Sequence, residues 1–197
     1  MKERGLGTGA LVGIVIVIVV VAVVVPATAV VILGRGGTTG GGSGTMKLSS
    51  SAFSDGGAIP ITYTADGANY SPPLTISGVS SGAVTLALIV DDLDVTGGYT
   101  HWIIWNIPAS TTSIPDGVAA MSSTVSDLGD AKQGINGDGN PGYTGPAPPQ
   151  GTHRYQFTLY ALDTSLDLAA SADESVLVQA MSGHVIDQAT LTGTYSK

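Results

Sequence analysis

The chain has 197 residues, with 28 glycines, 10 prolines, no cysteine, 11% charged side chains and a net charge of −8. Its length points to one principal domain, and the missing cysteine excludes a disulfide framework, thiol catalysis and a lipidated cysteine anchor. The acidic balance repels polyphosphate backbones and argues against nucleic acid as a partner.

Residues 10–33, ALVGIVIVIVVVAVVVPATAVVIL, run for 24 residues without a charge. As a helix at about 1.5 Å per residue this run reaches roughly 36 Å, enough to cross a hydrocarbon core of about 30 Å. It is expected to be a retained transmembrane anchor. A cleaved signal peptide is the alternative, since Ala27-Thr28-Ala29 has a small-x-small pattern, but the apolar run continues through Leu33. Lys2 and Arg4 before the run, against Arg35 after it, predict a cytoplasmic N-terminus over 1–9. The chain is then expected in the cell membrane, single-pass, with its domain extracytoplasmic. Residues 34–45, GRGGTTGGGSGT, read as a flexible linker, and 46–197 as the domain. In 46–197, fourteen acidic residues outnumber Lys47, Lys132, Arg154 and Lys197.

Within 46–197, short β-branched and aromatic runs alternate with Gly, Pro, Ser and Asp, the pattern of an all-β domain. Ile59–Thr64 is the first expected strand. Val84–Val90, VTLALIV, is apolar on both alternating faces and predicts a central strand covered on both sides. In the DDLD that follows, period two puts Asp92 and Asp94 on one face and Asp91 on the other. His101–Ile107 is the next strand, with His101, Ile103, Trp105 and Ile107 on one side and Trp102 on the other. Gln133 to Tyr155, QGINGDGNPGYTGPAPPQGTHRY, is a long loop in which proline fixes φ and glycine permits positive φ, so that it can hold an irregular shape. Loops of this length in a compact domain are commonly functional or else disordered, and the prolines and tyrosines here favour packing against the domain. His153 leaves this loop where the strand Tyr155–Leu162 begins. A helix is expected from Ser171 to about Gln188. Ser171 and Glu174 would form its capping box, and Leu177, Ala180, Met181, His184 and Val185 its apolar stripe. His184 is accordingly read as a core or subunit-contact residue. Ala189–Tyr195 is the last strand.

DDLDVTGGYTHWIIWNIP and GYTGPAPPQGTHRYQFTLYALD, flanked by FSDGGAIPITYTADGANYSPPL and MSGHVIDQATLTGTY, resemble the phosphatidylethanolamine-binding protein (PEBP) family, in its bacterial and archaeal, Raf kinase inhibitor-like branch. The likeness spans Lys47 to Tyr195. It implies a mainly β fold, in which a large central sheet packs on a smaller one with a few peripheral helices, to which the N-terminal run adds a transmembrane helix. It also implies a small anion pocket. The family's D-P-D-x-P segment falls on Asp92, Leu93 and Asp94, and its pocket histidine on His101. Its G-P-x-P-P loop falls on Gly145, Pro146, Pro148 and Pro149, and its H-R-Y on His153, Arg154 and Tyr155. Tyr143 is expected to close the pocket, on the family pattern, or else to pin the loop. Leu93 and Thr96 stand where the family carries prolines, which loosens the turn after Asp92, and Ala147 stands where a cysteine is common.

The expected function is that of a membrane-anchored, non-enzymatic binding protein for a phosphate-type anion or a phospholipid headgroup. His101 and His153 would donate N–H groups to the anion, while Asp92 or Asp94 accepts from the second ring nitrogen and fixes its tautomer. Two carboxylates beside a phosphate require a protonated histidine, a carboxylate turned away, or a carboxylate bound to the ligand's own ammonium group. The last suits phosphoethanolamine. No cofactor or metal is expected. Kinship implies a regulatory or inhibitory role towards a protein partner, and helix packing or sheet edges are compatible with a homodimer. The alternative is a hydrolase or metal-dependent enzyme built on the same His and Asp residues, although the chain has neither G-x-S-x-G nor H-E-x-x-H.

Overall fold

A computed structural model describes residues 45–197. In chain order the elements are β1 (Lys47–Ser49), β2 (Leu74–Ser77), β3 (Thr85–Asp92), β4 (Tyr99–Pro108), β5 (Ser113–Ile114), β6 (Thr124–Val125), β7 (Ala131–Gln133), β8 (Thr152–Leu162), α1 (Glu174–Met181) and β9 (Val185–Ser196). A small sheet has the order β1-β2-β5 and a large antiparallel sheet the order β6-β7-β4-β3-β8-β9. β3 lies in the middle of the large sheet, which is why its sequence is apolar on both alternating faces.

The two faces of β3 feed two cores. Leu86, Leu88 and Val90 join Phe157 and Leu159 of β8 and Trp102 and Ile104 of β4 against Leu48, Leu74, Ile76 and Ile114 of the small sheet. Ala87 and Ile89, with Ile103 and Trp105 of β4, pack on the other side with Leu177 and Met181 of α1. Each of the larger side chains removed from water contributes about 1.5–3 kcal/mol. A buried amide ties β4 to its neighbours: Trp102 Nε1 donates to Gln133 Oε1 at 2.6 Å, and Gln133 Nε2 donates to the carbonyls of Ala119 and Ser122 at 2.9 and 2.7 Å. Along the outer edge of β9 lies the segment 55–59. There Gly56 N donates to Thr192 O, Ile59 N to Thr194 O and Thr194 N to Gly57 O, each within 2.8 Å.

The expected fold class is corrected in one respect. Among the described residues no helix is long and apolar enough to cross a membrane, and α1 has eight residues. Over the described residues the architecture is mainly β, with no membrane helix; the span expected over 10–33, with 1–9 and most of the linker, lies outside the described residues. Ile59–Thr64 is not a strand either. Ile61–Tyr63 is a 3-10 turn entered from Pro60, which has no N–H to give a ladder, and closed by Thr64 Oγ1 on Ile61 O at 3.0 Å.

The helix is also shorter than expected. Asp173, not Ser171, caps it, its Oδ1 accepting from Val176 N at 3.0 Å. After Gly183, at φ +85°, the chain enters β9 and Val185 pairs with Leu162. Strand pairing thus overrides the helical spacing of His184 and Val185. His184 is exposed, its Nδ1 2.8 Å from Asp163 Oδ1, and is not a core residue. A bulge opposite Ala87 shifts the register after Ile104, so Ile107 falls on the same face as Trp102. Asn106, at φ +58°, takes the strain there and bonds Leu166 through both its side-chain N and O at 2.8 Å.

Candidate functional site

The site forms where β3 and β4 end. A second bulge in their pairing puts Val90 opposite Trp102 but Asp91 opposite Thr100, leaving His101 as the extra residue. His101 therefore turns to the same side as Asp92, and Thr100 with Asp91 to the other. Asp92 is buried, opposite Tyr155 on β8 and Tyr99 on β4. These residues line a cleft of about 320 Å³ with Asp138, Thr144, Gly145, Pro148 and Pro149 from the long loop and with Ala65.

His101 Nδ1–H donates to Thr144 O at 2.7 Å, while Thr144 N donates to His101 O at 2.9 Å. A carbonyl only accepts, so the neutral ring has its proton on Nδ1 and a bare lone pair on Nε2. Burial pushes the imidazole pKa below its ordinary value, opposed by the Thr144 bond and by the charges of Asp92 and Asp138. For His101 to donate to an anion, as expected, the ring must be protonated, since the neutral ring offers a ligand only an acceptor.

His153 Nδ1–H donates to Asp92 Oδ2 at 2.7 Å. Its ring stacks on Tyr155 at 6.5 Å, and His101 meets the same tyrosine edge-on at 5.1 Å. The two imidazoles, far apart in the chain, thus converge on Tyr155 and Asp92. His153 does not itself line the cleft; it orients the carboxylate that does. Tyr155 Oη is buried without a hydrogen-bond partner among the described residues, and its pKa is raised by burial and by Asp92.

Asp94 is not part of the cleft. It grips Arg154, accepting from Nε at 3.0 Å, Nη2 at 2.7 Å and the main-chain N at 2.8 Å, and these bonds hold its carboxyl at about 2. Its expected role on an imidazole falls to Asp92 alone. Tyr143 does not close the cleft: it is buried, with Oη on Tyr63 O at 2.7 Å, and pins the loop. Pro146 lies behind the wall, its carbonyl accepting from Ala65 N at 3.0 Å. Gly145 reaches the wall because a Cβ there would stand 2.7 Å from the Thr64 backbone.

Tyr99 and Asp138 line the cleft without having been expected there. Tyr99 Oη donates to Asp138 Oδ1, and this bond lowers the Asp138 pKa against the opposing effect of burial, with smaller help from a Thr144 contact and the His101 ring. In sequence, Asp138 between two glycines reads as an ordinary turn former. What aims it at the cleft is Asn136, whose Oδ1 accepts from the main-chain N of Asp138 and Asn140. Among the described residues no three His, Cys, Asp or Glu side chains are grouped to hold a metal ion.

Residues 49–196 match the family model described as phosphatidylethanolamine-binding protein. A UPF0098 protein of Methanothermobacter thermautotrophicus is 47% identical over 157 residues, covering 77% of this chain and 99% of that protein. Among solved structures, the phosphatidylethanolamine-binding protein homologue CT736 of Chlamydia trachomatis is 39% identical with a TM-score of 0.71, over 79% of this chain and 99% of that one. YbcL of E. coli is 30% identical with a TM-score of 0.72, over 77% and 98%.

Proposed function

The chain belongs to the phosphatidylethanolamine-binding protein family, and from that premise we propose that its cleft binds a small phosphate ester that brings its own positive charge, such as a phosphoethanolamine headgroup, and that binding rather than turnover is its activity. The observation that carries this reading is the charge of the cleft. Asp92 and Asp138 face it, Asp138 is held in its ionised form, and buried His101 is pushed towards neutrality. A bare phosphate dianion is repelled by such a wall. A zwitterionic ester places its ammonium against a carboxylate and its phosphate against His101, which takes up a proton as the anion arrives. Tyr155 Oη, buried beside Asp92 at the wall of the cleft, is a further potential donor there. The alternative is a hydrolase or metal-dependent enzyme on the same His and Asp residues; for its metal-dependent form no group of three ligating side chains stands among the described residues.

Calorimetry with phosphoethanolamine, phosphocholine and inorganic phosphate tests the proposal. Phosphoethanolamine is expected to bind most tightly, and His101→Ala to weaken it by about tenfold or more, the scale of one charge-assisted hydrogen bond. Equal binding of inorganic phosphate, or unchanged affinity in the variant, refutes it.

A further inference from the structure

On the opposite face of the large sheet, directly behind the cleft, stands a second polar cluster. Asp91 and Thr100 turn there because Asp92 and His101 turn the other way. Thr100 Oγ1 donates to Glu174 Oε2 in the first turn of α1 and also neighbours Asp91, whose Oδ1 is buried without a partner among the described residues. One hydroxyl has one proton to give. With both carboxyls ionised, Thr100 satisfies Glu174 and leaves Asp91 facing it uncompensated. With a proton on Asp91, the row Asp91, Thr100, Glu174 becomes a chain of donor to acceptor, and the repulsion disappears.

We propose that Asp91, Thr100 and Glu174 form a proton-operated latch that fastens the first turn of α1 to β3 and β4 and so holds the back wall of the ligand cleft. Thr100 lies between Tyr99 and His101, two residues that face the cleft, so whatever loosens Thr100 loosens both. Burial first, and then the Glu174 charge, raise the Asp91 carboxyl to about 7. The other groups facing it do not supply a cation. Gln156 of β8 is its neutral register partner, Tyr160 of β8 is itself raised by burial and by the two carboxyls, and Asp173 of α1 is turned to Ser175 and Val176. A groove of about 370 Å³ lined by Thr100, Gly137 and Glu174 opens beside the cluster and brings solvent to its Thr100 and Glu174 end. Asp91 and Glu174 are thus positioning residues, and the latch regulates the cleft only if the function proposed above is correct.

Amide hydrogen exchange of the full chain, corrected for its intrinsic pH dependence, reads the latch without ligand. Between about pH 6 and about pH 8, protection of α1 and of the Gly137 amide, which donates to Thr100 O, is expected to fall by about tenfold. Asp91→Asn should remain protected throughout, Glu174→Gln should move the step to lower pH, and His101→Gln should keep it. A flat wild-type profile, or an unchanged step in the two carboxyl variants, overturns the latch; should Asp91→Asn fail to fold, Glu174→Gln alone decides. Phosphoethanolamine affinity at about pH 8, measured beside it, separates the two proposals. An exchange step in a protein that binds no ligand refutes the cleft reading and leaves the latch, whereas tight binding with no step does the reverse.

Discussion

His101 concentrates the chemistry of the cleft in one ring. Its Nδ1 proton is committed to Thr144 O, so ligand and proton meet at Nε2. In the free protein its pKa is lowered, and a bound phosphate must raise it, so binding takes up a proton above the free-state value. Phosphoethanolamine affinity is therefore expected to climb as pH falls through the range around the ordinary histidine value of about 6.5, by at most about tenfold per unit, and to level off once the free ring is already charged. Titration calorimetry at several pH values checks this, and His101→Gln should flatten the profile. Period two put His101 on the face of Ile103, and only the bulge turns it to the side of Asp92, so the histidines were legible as residues of the family motif and not by direction. Asp92 and Tyr155 were legible from the sequence because regular strand positions fix where they point. Asp94 was not. Period two assigned it to the face of Asp92, but β3 ends at Asp92, and beyond the strand Arg154 decides its direction.

At the scale of elements, the strands that carried apolar residues on both faces were readable, since burial on two sides leaves no other pattern. Register was not. The bulges at His101 and before Ile107 leave every residue type intact and only move faces, and Ile59–Thr64 was lost to one proline. The cleft wall depends on a contact between elements that is equally silent in sequence. Gly145 N donates to Asn69 Oδ1 at 2.6 Å and Ala65 N to Pro146 O, so the loop is fastened to the 64–69 turn on both sides of a glycine with no room for a methyl group. Gly145→Ala is expected to cost about 1–3 kcal/mol by overpacking, read as a lower Tm, and to weaken ligand binding in the same variant. The exposed neighbour Ala147 should accept serine within about 0.5 kcal/mol.

For the whole molecule, the Asp91 carboxyl makes stability depend on pH in an unusual direction. Its pKa is about 7 in the folded chain against about 3.9 in the unfolded one, so the folded state binds the proton more tightly. That contribution is full below about pH 4 and is lost as pH rises through about 7. Asp91→Asn is expected to raise stability by about 1–3 kcal/mol at pH 8 and by about a third of that at pH 5, measured by urea unfolding at the two pH values. A smaller effect at pH 8 than at pH 5 contradicts the assignment. The long strand β9 has a different consequence, for how molecules meet. An open ladder of twelve residues is a template on which a neighbour's backbone can polymerise, yet the segment 55–59 already occupies its C-terminal half. At high concentration the protein therefore presents no free seam along that half of the strand from which fibrils could grow, and cutting the chain within 55–59 is what would open one there.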